Sequence, residues 1–362
     1  MIDSGIPFDS IHYDISLLDG YDKPKNFCWS PRELGKTTSI LVQKVYKRYK
    51  EFGEPTLFLY NMAADITEAQ VISIENSINK FKGREVHLSV SKDCPTIWCV
   101  WDGGKKNGKL FGVMASVGAP IRRLKGLNFG KLACIVYDEA IVNTAMGEKY
   151  PAGLAFKVKE IYKTFARESR PAKLKLYCLG NPYSKYHPLL VDWGVPINQI
   201  KKGKILAGKD WVVHAAVLSE ELRDWIRSNE PDHDWDNSYD KYAFDGDAIN
   251  DDSVWVEERR PEGFKLRYCF KFQDRYLWIW KSDLQVDDTG VCLNYWMEAR
   301  ADAPGKRREI ISADFESMSR NTTLLSAYKG LFNSLKRAVA LNRCSYSTPE
   351  AYYLVQLLYG GF

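Results

Sequence analysis

The run Ser30-Pro31-Arg32-Glu33-Leu34-Gly35-Lys36-Thr37-Thr38 carries the side chains and the backbone freedom needed to hold a chain of phosphates. It fits the pattern Gly-x4-Gly-Lys-Thr, with Ser30 standing where the first glycine is usual. In such a loop the backbone N–H groups, with those of the helix that follows, point at the β-phosphate. Gly35 would let the chain approach closely, Lys36 would neutralise β- and γ-oxygens, and Thr37, followed by Thr38, would offer a hydroxyl to Mg2+. Arg32, inside the loop, could touch a γ-phosphate of the same site. The same residues would also suit a basic turn ahead of an ordinary helix.

A second group weighs on that choice. The sequence IVYDE at 135–139 is an apolar strand ending in two acids. Beside a phosphate loop, Asp138 would hold Mg2+ through water and Glu139 would orient or deprotonate an attacking water. Asn181 ends another apolar run, LKLYCLGN at 174–181. In α/β sheets ligands sit beyond the carboxyl ends of the strands, so Asn181 could sense a γ-phosphate; it could equally cap the turn Gly180-Asn181-Pro182. Arg167 and Arg170 follow a helical run. Either could enter a neighbouring subunit's site and stabilise charge on the transferring phosphoryl group, or simply complement a helix C-terminus. Seven Lys/Arg fall between 101 and 131 against one acid, Asp102. Among them Arg122, Arg123 and Lys125 are the candidates for contact with a nucleic-acid backbone, although charge runs are often only solvated faces.

These residues need a scaffold, and the chain supplies one. Its 362 residues exceed one small module, and 45% hydrophobic with 27% charged residues is ordinary globular composition. No apolar run is long enough to cross a membrane, and the N-terminus lacks a signal-peptide layout. Eight scattered cysteines without a CxxC pair read as reduced core residues in a reducing compartment. Charge is segmental. Residues 1–218 carry 32 Lys+Arg and 21 Asp+Glu, 219–252 carry 3 and 12, and 253–362 carry 16 and 13. That pattern suggests a domain over 1–218 with a polyanion as partner, an acidic linker with a small helical region over 219–252, and a second domain over 253–362.

Short apolar strands alternate with amphipathic runs in the first region, which predicts an α/β fold. A strand at 26–29 leads into a helix over 37–52 with Leu41, Val45, Tyr49 and Phe52 on one face, and TLFLY at 56–60 is a buried strand. A helix follows through Val71, Ile74, Ile78 and Phe81. Three runs between 86 and 115 read as antiparallel edge strands. Another helix carries Leu154, Val158, Ile161, Tyr162 and Phe165. From 253 onward a hairpin, KLRYCFKF with YLWIWKSD, precedes helical patches at 324–340 and 350–359.

Taken together, NFCWSPRELGKTT, IVYDEA, TFARESR and CLGNP resemble, in order and spacing, the genome-packaging ATPases of small tailed phages, an additional-strand P-loop branch related to terminase large subunits. The resemblance covers most of the chain, including the tail SADFESMSRNTTLLSAYKGLFNSLKRAVALNR. It implies a P-loop ATPase domain with a central, mostly parallel sheet and a smaller C-terminal α/β domain resembling a vestigial ribonuclease-H-like nuclease. It further implies ATP and Mg2+ as cofactors, with double-stranded DNA and a portal or procapsid as partners. The subunits would form a homo-oligomeric ring, a pentamer by family analogy, with room for a structural RNA and no membrane. The place of action would be the cytoplasm of the infected host cell, docked transiently on the procapsid. Arg32 matches the arginine usual inside the family's loop, and TFARESR supplies its trans arginine as Arg167 or Arg170. Two alternatives stand beside this reading: a terminase-type enzyme whose C-terminal nuclease is active, and a non-hydrolytic DNA-binding or scaffold protein. A two-metal nuclease needs converging carboxylates. Asp274, Asp283, Asp314 and Glu316 are instead dispersed, so no cleavage is expected.

Overall fold

Nine of the apolar runs in the first part of the chain pair into one sheet in the computed structural model. The structure describes residues 12–32, 34–81, 83–126, 130–143, 148, 150–151, 153–168, 173–184, 187–229, 256–272, 275–282, 295–305, 309–312, 322–324, 329–340 and 343–360. The strands are β1 (Lys25–Trp29), β2 (Thr56–Tyr60), β3 (Leu88–Cys94), β4 (Ile97–Asp102), β5 (Lys109–Ser116), β6 (Ile135–Tyr137), β7 (Leu176–Gly180), β8 (Lys204–Ala207) and β9 (Trp211–Ala215). Their order is β3-β4-β5-β2-β6-β7-β1-β9-β8. The six strands from β5 to β9 are mutually parallel, whereas β3, β4 and β8 run antiparallel at the edges. Every residue of β2, β7 and β9 is buried, which is why these strands read as near-continuous apolar runs.

Four longer helices accompany this sheet. The first, α1, begins as Lys36–Ile40, passes through a π-helical stretch at Leu41–Tyr46 and ends as Lys47–Phe52, stopped by Gly53 at φ 69°. Leu41, Val45 and Tyr49 enter the core as their spacing predicts. Phe52 does not: it is 60% exposed beyond the last buried turn, with the Arg48 guanidinium 4.3 Å above its ring. Helix α2 (Glu68–Asn79) is N-capped by Thr67, whose hydroxyl accepts from the N–H of Gln70. Helix α3 (Leu154–Glu168) buries Val158, Ile161 and Phe165. Helix α4 (Glu220–Asn229) carries Leu222 and Ile226 into the same core as β1 and β2, past residue 218. From residue 230 the acidic stretch lies outside the described residues.

The chain divides into two units, Met1–Lys185 with Val195–Ile249, and Tyr186–Gly194 with Asn250–Phe362. The second unit holds the expected hairpin as β10 (Phe264–Phe272) and β11 (Arg275–Ser282), joined by β12 (Tyr295–Arg300), β13 (Ile310–Ser312), β14 (Thr322–Leu324) and β15 (Cys344–Tyr346). The order is β14-β13-β10-β11-β12-β15. Strand β11 is antiparallel to both neighbours, and β13 is parallel to β10 and β14. Helices α5 (Lys329–Ala340) and α6 (Pro349–Gly360) match the helical patches, and Leu354, Val355 and Leu358 of α6 are buried with Leu277, Ile279 and Met297 of the sheet. Asp274, Asp283, Asp314, Glu316 and Cys292 lie outside the described residues. The seven described cysteines form no disulfide, and six are buried. No helix among the described residues is long and apolar enough to cross a membrane.

Gly180, the last residue of β7, is needed for close packing. A Cβ there would stand 2.6 Å from Cγ1 of Ile141 on the segment after β6. Gly180→Ala should therefore cost about 1–3 kcal/mol in denaturant unfolding, and the same change should cost less in an Ile141→Ala background, where Cγ1 is gone. An unchanged midpoint for the single variant would show that the segment yields freely.

Candidate functional site

Parallel pairing aligns the carboxyl ends of β1, β7 and β6. Trp29 pairs with Gly180 and Tyr137 with Cys178, so the residues that follow these strands emerge at one edge of the sheet. There Ser30 extends the ladder by donating its N–H to the carbonyl of Gly180 at 3.1 Å. Its buried hydroxyl turns back onto the carbonyl of Pro31. Ser30 is not among the described residues with positive φ, so a glycine is not required there. Gly35 is different. It has φ 64° and ψ 26°, and a Cβ on it would meet Cδ2 of His12 at 2.5 Å, so both backbone and space demand glycine. Helix α1 starts at the next residue, with Thr38 in its first turn.

Lys36, Thr37, Asp138 and Asn181 converge. The Lys36 ammonium donates to Oδ1 of Asn181 at 2.7 Å and to the carbonyl of Pro31 at 3.4 Å. The Thr37 hydroxyl donates towards both carboxylate oxygens of Asp138, at 3.2 and 3.1 Å. Burial pulls the Lys36 pKa down from 10.5, opposed by Cys28, Asp138 and Glu139. Burial pushes the Asp138 carboxyl up, opposed by Lys36, the N–H of Glu139 and Thr37. The edge thus holds charges of both signs in a desolvated place, each only partly compensated.

Glu139 has φ 47°, a left-handed conformation that costs a non-glycine residue about 1 kcal/mol. Three contacts hold it. Its own N–H donates to Oδ1 of Asp138, the next N–H, of Ala140, donates to the carbonyl of Leu179, and its carbonyl accepts from Nδ2 of Asn61 at 2.9 Å. Asn61 is itself fixed, because its Oδ1 accepts from the buried Tyr137 hydroxyl. The Glu139 side chain is left exposed at the mouth of the site. Desolvation raises its pKa, followed by repulsion from Asp138 and then from Asp65, while Lys36 and Arg32 oppose the rise. Asn61, Asp65 and Tyr183, whose hydroxyl accepts from Nη2 of Arg32 at 2.9 Å, were not found by the sequence reading. The available signal for Asn61 was a polar residue directly after the apolar strand TLFLY, but only the pairing of β2 with β6 makes it matter.

The remaining candidates lie elsewhere. Arg167 is exposed at the end of α3, donating from Nε to the carbonyl of Lys163. Tyr162 of the same helix bonds the carbonyl of Leu174, just before β7 begins, so Arg167 is at the opposite end of β7 from Lys36. Arg170 lies outside the described residues. Arg122 and Arg123 are exposed on a short helix, Ile121–Gly126, that also contains Lys125 and follows the carboxyl end of β5. Lys105, Lys106 and Lys109 sit at the other end of β5, so the basic run is not one patch; about 25 Å of strand separates its halves.

The donor set fits a hydrated Mg2+ bound with phosphate. One carboxylate and one hydroxyl are hard oxygen ligands of the kind Mg2+ shares with phosphates, and no group of three His, Cys, Asp or Glu that could hold a metal by itself occurs among the described residues.

No protein-family model and no curated protein sequence matches the chain. Solved structures do. The Phi-28 gp11 DNA packaging motor superposes with a TM-score of 0.61 at 13% identity, over 98% of both chains. The bacteriophage Phi-29 viral genome packaging motor assembly superposes with a TM-score of 0.56 at 17% identity, over 96% of this chain and 100% of that one. At such identities the likeness is one of fold, and it runs the full length of the chain. The α/β expectation with a mostly parallel central sheet is borne out. So is the additional strand, since β7 lies between β1 and β6.

Because Glu139 holds its proton more tightly when folded, its ionised form weakens the fold as pH rises above its ordinary 4.5. Glu139→Gln should stabilise the ligand-free protein at pH 8, with a margin that shrinks as pH falls towards 4 in thermal melts. A loss of stability, or a margin independent of pH, would refute the upward shift of Glu139.

Proposed function

We propose that this chain is an Mg2+-dependent ATPase that drives double-stranded DNA into a preformed viral shell, working as a ring of identical subunits. The observation that carries the reading is the meeting of Lys36 and Thr37 with Asp138 and Glu139 at one strand edge. In it Ser30, Gly35 and Thr38 shape the phosphate cradle, Lys36 binds β- and γ-oxygens, and Thr37 with Asp138 would hold Mg2+. The metal, when bound, neutralises charge on the phosphates. Glu139 takes the proton of the attacking water, for which a raised pKa is suited. Asn181 registers the γ-phosphate and Arg32 contacts it within the chain. Arg167, or Arg170, enters from the adjacent subunit, and Arg122, Arg123 and Lys125 touch DNA. Catalysis of this type is positioning and charge stabilisation, so small displacements of these groups control the rate.

The likeness of fold to packaging motors over the full chain supports translocation as the use of that energy. The second unit is read as a vestigial ribonuclease-H-like domain. Supporting this are its antiparallel β10-β11-β12 set, extended on the β10 side by parallel β13 and β14, and the absence of any acidic residue from β10. A portal or procapsid, a pentameric ring and a structural RNA belong to the same reading, as does action in the cytoplasm of the infected host cell.

ATP turnover measured with duplex DNA, with empty capsids and with both should rise most with both. Glu139→Gln should keep ATP binding yet lose turnover by 100-fold or so. Unchanged turnover in that variant removes Glu139 from the mechanism, and turnover indifferent to DNA and capsids argues against packaging.

A further inference from the structure

The phosphate loop carries two cations, Arg32 and Lys36, and both are held by the segment that leaves β7. Lys36 bonds Oδ1 of Asn181, and Nη2 of Arg32 bonds the hydroxyl of Tyr183. The N–H of Tyr183 donates to the carbonyl of Asn181 at 2.8 Å, which folds these residues into one tight unit facing the loop. The Tyr183 ring is partly buried against the first core, so its hydroxyl occupies a fixed position. Arg32, by contrast, is exposed and within electrostatic reach of Glu139, whose raised pKa it opposes.

We propose that Tyr183 is a positioning residue, the resting dock of Arg32, which the arginine leaves only for a γ-phosphate. The proposal rests on the nucleotide reading above and adds a means of telling a triphosphate from a diphosphate. A phenol is a neutral partner: it fixes the guanidinium without cancelling its charge, and an anionic phosphate outbids it. A diphosphate has nothing to offer at that position, so Arg32 stays docked. The affinity for triphosphate is lowered by the fraction of time the arginine is held away. Asn181 exchanges its Lys36 contact at the same event, so both bonds to the segment are exposed to the same ligand.

The test is binding of Mg-ADP and of a non-hydrolysable ATP analogue to the full chain by calorimetry. Tyr183→Phe keeps the packed ring and removes the hydroxyl. It should tighten analogue binding by about fivefold and leave ADP binding unchanged. Arg32→Ala should weaken the analogue alone, and adding Tyr183→Phe to it should change nothing further. Equal effects on both nucleotides, or an unaltered analogue affinity in Tyr183→Phe, overturn the dock and leave the nucleotide site standing. A wild-type protein that binds neither ligand at millimolar concentration overturns the nucleotide reading itself, a distinct result.

Discussion

A half-buried lysine ammonium with incomplete compensation is the constraint around which the site of the first unit is built. Lys36 is held by two neutral oxygens, those of Asn181 and Pro31, and burial depresses its pKa. The same desolvation raises Asp138, whose oxygens are met by the Thr37 hydroxyl. Uncompensated charge of either sign is unfavourable in such a place. On the proposed reading, a polyphosphate with a divalent cation would compensate both charges, so that the cost of holding them apart from water becomes affinity for that pair.

The sheet makes this possible by order and register. With β7 between β1 and β6, one strand end contributes Asn181 to a site whose other walls are the phosphate loop and the acid pair. A slip of one residue in either pairing would turn alternate side chains to the opposite face and dissolve the site. Gly180 permits the close approach of Ile141, and so of the turn that carries Glu139. The strained φ of Glu139 persists because Asn61, anchored by Tyr137, over-determines it from β2.

What was legible in the sequence was local. A loop with glycine, lysine and threonine at fixed spacing, and an apolar strand ending in two acids, declare their chemistry within a dozen residues. Their meeting was inferable from the α/β pattern, since ligands gather at carboxyl strand ends. Asn61 and Tyr183 were not legible, because each acts across a pairing between segments about 80 and 150 residues apart in the chain. In the second unit, β13, β14 and β15 have three residues each, too short for alternation to register. The basic residues between 101 and 131 show the same limit, since composition alone does not tell that β5 carries Lys105, Lys106 and Lys109 to one end and Arg122 and Arg123 to the other.

The position of Arg167 bears on how the proposed ATPase is completed. Its helix is tied to Leu174 by Tyr162, and from there the chain needs seven residues, about 23 Å of extended strand, to reach Asn181 beside Lys36. An arginine at the far end of the sheet cannot serve its own phosphate loop without unravelling α3, whose apolar face is buried in the core. On the ATPase reading, then, Arg167 has a catalytic use only in another copy of the chain. A contact that joins one end of the sheet to the opposite end of the next subunit is heterologous. Such contacts close into rings when the rotation permits, so on that reading the location of a single exposed side chain would tie hydrolysis to assembly.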